Sequence, residues 1–470
     1  MPERQGGLTL AAKADPRSLE QANVPSRLSD LPGRFWLMAA LTGVAAGLGA
    51  IVMMATLRTV QHVAFAYHGG EFSTAVAHAA DSRTLLVLAI GGLGTGLALW
   101  LLQRFFGGTG GEPTAVVWTR SGKLSLWRTL ASGLVSEFTV GTGGSIGREA
   151  GPQRLGAAAG DALGRAFGLP REQTYLLIAY GAGAGLAAVY DAPLAGAVFA
   201  AELYLGTVSL PLLLPALLTS GIATATAWLA LPAHAVYSVG RLPNAGVSLL
   251  VFALLLGPVA GAASALYVRL IGWASDHRPK GWRLVVEPLV AFLALGVVAL
   301  RYPLLLGNGV DLAQFAFTGG GAVLVLGALT LLKPLATATT LRSGATGGLF
   351  TPTFSFGAIL GAFLGHLWAG VWSGAPGASC AVIAAAAMMG AAMEAPVTAI
   401  VFVLELTHSV FGAVVPMLVA LVGATVVSRH WNLSSIYSAR LAPPPVTQST
   451  RVGALPEGDA DEAPIGPHPA

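Results

Sequence analysis

Residues 191–203 read DAPLAGAVFAAEL, and residues 394–406 read EAPVTAIVFVLEL. An acid, Ala-Pro, Val-Phe and Glu-Leu recur at matching places, at an offset of 203 residues, from 191 to 394. A second echo has nearly the same spacing. TGGSIG begins at Thr142 and TGGLFT at Thr346, an offset of 204 residues, from 142 to 346. Two echoes at almost one spacing mark a duplication. The chain divides into an N-terminal segment (1–33), a first half (34–235), a second half (236–440) and a C-terminal tail (441–470). The tail is rich in Pro, Gly and acid and reads as disordered. The repeat alone leaves open whether the halves run parallel or inverted. An odd number of spans in each half would force inversion and bring the paired motifs together near the midplane.

The halves are apolar. Hydrophobic residues make up 54% of the chain and charged residues only 10%, with a mean hydropathy of +0.69. Soluble domains carry roughly a quarter charged residues, so this chain cannot coat a water-facing surface of its size and reads as an integral membrane protein. Phe35–Leu57, Thr84–Leu102, Leu210–Leu231, Val247–Ile271, Leu284–Leu300 and Ala322–Leu335 are candidate spans. Shorter runs at Ser125–Val140, Tyr175–Val189, Pro193–Leu205, Phe354–Trp368, Val382–Met393 and Val397–Leu406 are separated by Gly or Pro. Short, broken spans suit a transporter, where irregular backbone lines a buried or watery cavity. The runs are continuous rather than alternating, which indicates helices and not a barrel. Glycine supplies 61 of 470 residues, about twice its usual share of ~7%, and most of it is read as close helix packing.

Other classes drop out. The single cysteine, Cys380, excludes an internal disulfide and a cysteine metal cluster, and no HExxH pattern is present. Neither a GxxxxGK[ST] loop nor a strand-flanked GxGxxG occurs, so no nucleotide cofactor is expected. No nucleic-acid partner is expected either. The formal charge of +4 says little once most of the chain lies in lipid. The first thirty residues are polar and mixed in charge, unlike a cleavable signal peptide. Arg4, Lys13, Arg17, Arg27 and Arg34 precede the first span and point to a cytoplasmic N-terminus.

Three glycine-rich segments each run into a proline: FGGTGGEP (106–113), GGSIGREAGP (143–152) and GATGGLFTP (344–352). Proline is favoured in the first turn of a helix. Each segment is therefore a loop feeding a helix start, where free N–H groups and the positive dipole end make an anion site. Backbone dipoles suit an ion that must also leave. Glu149 reads as a rival ligand: its carboxylate can occupy such a site, and once protonated it loses that attraction. Arg148 either gathers anions at a watery mouth or pairs with an acid. Lys333 reads as a helix-end lysine that snorkels to the interface, with a lumen-facing charge as the alternative. Glu394 and Glu405, which repeat Asp191 and Glu202, read as structural hydrogen-bonding acids, and Glu137 is given no function.

GGTGGEP, GREAGP, GGLFTP and the late tyrosine of SIYSARL occur in the same order as in the CLC family of chloride channels and transporters, and the chain resembles that family over residues 30–440. The DAPLAG and EAPVTA segments resemble its paired repeats. The resemblance implies an all-α integral membrane protein of two inverted-repeat halves built from tilted, partly broken helices. It implies a homodimer that carries chloride and similar anions, with or without protons, and not an enzyme. By resemblance Glu149 is the gating glutamate. The anion-binding positions are Gly108, Thr109, Gly147, Arg148, Ala150, Leu349, Phe350, Thr351 and Tyr437. Glu149, Glu202 and Leu203 mark the proton path.

Three departures stand out. GREGP reads GREAGP here. The segment around Thr109 is one residue longer, with Glu112 as an extra acid. Leu203 replaces the second acid through which coupled members pass protons inward. Leucine carries no proton, so uncoupled or weakly coupled flow is expected, with coupled antiport, or transport of another anion such as nitrate or bicarbonate, as alternatives. The missing regulatory domain suggests a prokaryotic plasma membrane.

Overall fold

The computed structural model describes Leu28, residues 31–240, Leu242 and residues 245–408, 411–431 and 434–441. Arg4, Lys13, Arg17, Arg27 and the tail beyond Leu441 lie outside the described residues. The first half contains α1 (Gly33–Phe65), α2 (Phe72–His78), α3 (Asp81–Phe106), α4 (Pro113–Thr119), α5 (Leu126–Gly141), α6 (Ala150–Ala166), α7 (Arg171–Tyr190), α8 (Pro193–Phe199) and α9 (Leu210–Ala227). The second contains α10 (Val247–Asp276), α11 (Arg283–Ala299), α12 (Val310–Phe317), α13 (Val323–Arg342), α14 (Phe350–Ala369), α15 (Gly377–Met393), α16 (Pro396–Thr407) and α17 (Val414–Trp431). A π-helical turn, Ala200–Tyr204, extends α8, and a 3-10 turn, Ser438–Arg440, closes the described chain.

The duplication is visible in what packs on what. Leaving out α2, α1 and α3–α9 correspond in order to α10–α17. α6 packs on α7 as α14 packs on α15, and α1 packs on α7 and α9 as α10 packs on α15 and α17. The equivalent helices α3 and α11 pack on each other, and so do α8 and α16. α7 and α15 are equivalents too. Thr174–Tyr190 and Ser379–Met393 are buried without a break, as expected of helices apolar all round.

The relative direction of the halves follows from two acids. Glu202, just past α8, accepts hydrogen bonds from the backbone N–H of Val397 (3.1 Å) and Thr398 (2.7 Å) at the start of α16. Glu405, near the end of α16, accepts from Leu194 (3.0 Å) and Ala195 (2.7 Å) at the start of α8. The end of each helix meets the beginning of the other, so equivalent elements run antiparallel and the halves are inverted. Both carboxylates satisfy orphan helix-start donors.

Seven helices among the described residues are long and apolar enough to cross a membrane: α1, α3, α9, α10, α13, α14 and α17. α17 goes beyond the spans expected from the sequence, and α14 begins four residues before the Phe354 boundary. Prolines sit inside α9, α10, α11 and α13, as membrane helices tolerate. Close packing depends on glycine. A Cβ at Gly156 would lie 2.1 Å from the Gly181 carbonyl oxygen, and one at Gly181 would lie 2.1 Å from that of Gly156, so α6 and α7 touch backbone to backbone.

Lys333 corrects the snorkelling expectation. It is fully buried and its Nζ donates to Ser145 Oγ at 2.9 Å. It reaches inward because its place on α13 faces the loop ahead of α6, where the Ser145 hydroxyl receives it.

Candidate functional site

Inversion brings the two glycine loops face to face. Gly147 and Gly348 exchange both backbone hydrogen bonds, N–H to O at 2.8 Å in each direction, as an isolated antiparallel bridge. α6 and α14 start just beyond, and Pro152 and Pro352 are each the third residue of their helix. Proline there removes an N–H that has no intrahelical partner anyway.

Glu149 is the residue preceding α6, yet its side chain does not cap that helix. It crosses to the other half. Oε1 accepts from the N–H of Phe350, the first residue of α14, at 2.8 Å. Oε2 accepts from Tyr190 Oη and Thr351 Oγ1, both at 3.0 Å. Tyr190 and Thr351 also share a short hydrogen bond. The carboxyl is only 1% exposed. A Cβ at Gly348 would lie 1.9 Å from Oε1, and one at Gly147 would lie 2.2 Å away, so the site admits the carboxylate only because both positions lack a side chain.

The proton count at this cluster is informative. The Tyr190 hydroxyl, the Thr351 hydroxyl and Oε2 touch pairwise, and two hydroxyl protons serve three contacts. A hydroxyl donates once. With both hydroxyl protons directed at Oε2, the short Tyr190–Thr351 contact has no proton of its own.

One cavity borders Glu149's neighbours Arg148 and Tyr190, and a second cleft borders Glu149 itself. The first, of about 230 Å³, is lined by Arg58, Tyr67, Arg148, Tyr190, Asn308 and Asp311 among others. The Arg148 guanidinium stacks over the Tyr190 ring, 5.2 Å from its centroid, and no acid pairs with it among the described residues. That favours its reading as a cation at a polar mouth. The second, narrower cleft is lined by Glu112, Glu149, Arg154, Tyr204, Tyr437 and Arg440, together with Ala150 and Leu349. Arg154 pairs with Glu112 at 2.5 Å.

The structure thus brings together Gly147, Glu149, Ala150, Leu349, Phe350, Thr351 and Tyr437, with Arg148 one step away. It does not bring Gly108 and Thr109 to either cavity. They follow the end of α3, where Gly108 N–H bonds to Leu102 O (3.1 Å) and Ser132 Oγ donates to the Thr109 carbonyl (2.8 Å). The extra residue before Pro113 puts Glu112 at the cleft. Glu202 is occupied at the start of α16, where Thr398 Oγ1 adds a third bond of 2.7 Å. Leu203 is 5% exposed, and its carbonyl receives Trp118 Nε1–H at 3.3 Å. Sequence reasoning missed Tyr190 and Glu112. Glu112 had a signal, as the acid directly before the α4 proline. Tyr190, next to the repeated Asp-Ala-Pro, had none beyond its place.

Broken helices from two inverted halves, starting at an ionisable group inside the span, define a membrane protein built as secondary transporters are. A profile described as voltage gated chloride channel matches residues 94–429. A putative chloride channel protein, ClcB-like, of Ralstonia nicotianae is 31% identical over 421 residues, covering 86% of this chain and 96% of that protein. The voltage-gated ClC-type chloride channel ClcB of Salmonella dublin is 30% identical over 421 residues, covering 86% and 98%. The structure of a slow cyanobacterial Cl−/H+ antiporter is similar at a TM-score of 0.76 and 23% identity, covering 87% of this chain and 97% of that one. A CLC-type fluoride/proton antiporter is similar at 0.71 and 22%, over the same shares. The chain belongs to the CLC family of voltage-gated chloride channels.

Proposed function

We infer that the protein carries chloride and similar anions across a membrane by a path that Glu149 gates. The observation that carries this reading is the Glu149 carboxylate on the start of α14, at a helix terminus able to hold an anion, with a cavity at Arg148 and Tyr190 and a cleft at Glu149 itself. An anion taking that place needs Glu149 to leave, and a protonated Glu149 leaves more readily because it has lost the charge that the helix start attracts. Gly147, Arg148, Ala150, Leu349, Phe350, Thr351 and Tyr437 line or support the path. Gly108 and Thr109 keep a role in it only if their loop moves.

Flow is uncoupled or weakly coupled to protons in this reading. Leu203 holds no proton, and Glu202 spends its carboxylate on three hydrogen bonds at α16. Coupled antiport is the alternative, and the two similar structures named above are antiporters. The protein acts as a homodimer in a bacterial inner membrane with its N-terminus cytoplasmic, as a transport protein and not an enzyme.

The test is chloride efflux and proton movement followed together in liposomes. Wild-type efflux rises as pH falls, and Glu149→Gln removes that dependence. Sustained proton uptake against a gradient, driven by chloride, would sink the weakly coupled reading. Absence of any chloride flux would sink the whole.

A further inference from the structure

The segment that is one residue longer than the family pattern ends on Glu112, and its loop is pinned. Gly110 and Gly111 have positive φ angles, 102° and 106°, a region that favours glycine. A Cβ at Gly110 would lie 2.4 Å from Thr129 Oγ1 and 2.6 Å from Thr129 N. The Gly110 carbonyl accepts from the Ser125 N–H at 3.0 Å, and the Thr109 carbonyl accepts from Ser132 Oγ at 2.8 Å. These contacts hold Thr109 against α5, while Glu112, further along the loop, lines the cleft. Glu112 precedes α4 but its side chain does not cap that helix. The carboxylate goes instead to Arg154, in the second turn of α6.

The cleft at this pair is narrow. Its volume is about 10 Å³, room for roughly one water. Chloride is larger than water, so it passes only if a lining side chain withdraws. Tyr204 and Tyr437 are buried, and both pack on Phe199, with ring centroids 5.7 Å and 6.1 Å from it. Glu149 is held by its three donors. The Glu112 side chain is 35% exposed, so it is the lining acid with room to move. The charged groups of the cleft are Glu112, Glu149, Arg154 and Arg440. Glu112 thus cancels the charge of Arg154 at a place where an arriving anion would meet it.

We propose that Arg154 is the centre of a further anion site, for chloride or another small monovalent anion, and that Glu112 is its resident competitor. The inference rests on the anion path proposed above and adds a second carboxylate to it. Glu149 holds a helix start, and Glu112 holds a guanidinium. While Glu112 is docked on Arg154, the cleft is shut and the charge of Arg154 is spent. When Glu112 swings toward solvent, the guanidinium faces the cleft with its donors free, and an anion takes the place of the carboxylate. The step exchanges one anion for another and makes or breaks no covalent bond.

The test is chloride binding to the purified full chain by calorimetry, together with the chloride concentration that half-saturates uptake into liposomes. Glu112→Gln keeps the size of the side chain and removes the competing charge. It is expected to bind chloride about three- to tenfold more tightly than the wild type and to half-saturate at correspondingly lower chloride. An ion pair that only ties α4 to α6 gives no such gain. In the double variant Glu112→Gln with Arg154→Gln the gain disappears, because the cation that holds the extra chloride is gone. Glu112→Asp draws the carboxylate back by one methylene, gives a smaller gain, and decides the matter if Glu112→Gln does not fold. Binding by Glu112→Gln, or by Glu112→Asp in its stead, that is no tighter than the wild type's overturns the inference. So does a gain that survives in the double variant. If Glu149→Gln meanwhile loses its pH dependence, the gate stands without this site. A wild type that carries no chloride overturns the path, and this site with it.

Discussion

A buried carboxylate gives up several kcal/mol of hydration, and Glu149 recovers a similar amount. Each hydrogen bond to a charged group contributes about 1.5–3 kcal/mol, and three donors with the dipole of α14 bring the total to the same order. The hydration lost and the hydrogen bonds gained by the docked carboxylate are therefore of the same order. The contact is tight enough that one methyl group is felt. Gly348→Ala puts a Cβ 1.9 Å from the docked Oε1 and expels the carboxylate. Its chloride efflux is expected to lose most of its pH dependence, as in Glu149→Gln, with smaller total flux because the anion meets the same methyl. An unchanged pH profile would show that the carboxylate docks elsewhere.

At the scale of elements, acids from one half bind helix starts of the other. Glu202 holds α16, Glu405 holds α8 and Glu149 holds α14. The first two are reciprocal, and the third has no counterpart, because Leu349 precedes α14 where Glu149 precedes α6. The first two caps are matched across the halves and the third is not. Glu405→Ala is expected to lower stability by about 1–3 kcal/mol through two orphaned N–H groups, seen as a lower unfolding midpoint in detergent. Glu202→Gln weakens a cap and leaves the ratio of proton to chloride movement unchanged in liposomes. A changed ratio would return Glu202 to the proton path.

For the whole molecule, a path joining the Arg148–Tyr190 cavity to the Glu149–Tyr437 cleft predicts access from opposite faces of the membrane. Asn308 lines the Arg148-side cavity and Arg440 the Tyr437-side cleft. The native Cys380 is buried and leaves a low labelling background. Asn308→Cys and Arg440→Cys are expected to react with an impermeant thiol reagent from different sides of sealed vesicles. Labelling of both from one side would rule out a path that runs between the two cavities.

The membrane class, the duplication, the glycine loops running into helices and the acid at position 149 can all be read from the chain alone. Each of these is a local pattern: apolar run length, a repeated string, Gly before Pro, a charge in an apolar stretch. The packed fold is needed to see which helix start Glu149 occupies, that Glu202 and Glu405 exchange ends of α8 and α16, that Lys333 turns inward to Ser145, and that Glu112 and Tyr190 rather than Thr109 reach the site. The inversion of the halves, implied by the family pattern, became a physical observation only there. These outcomes depend on contacts between residues on the order of 40 to 200 positions apart, and on whether a neighbouring backbone leaves room for a carboxyl group. Glu137 shows the limit most plainly. In the sequence it is one acid at the end of an apolar run; in the fold it is a carboxyl without a partner, admitted by the missing side chain of Gly151.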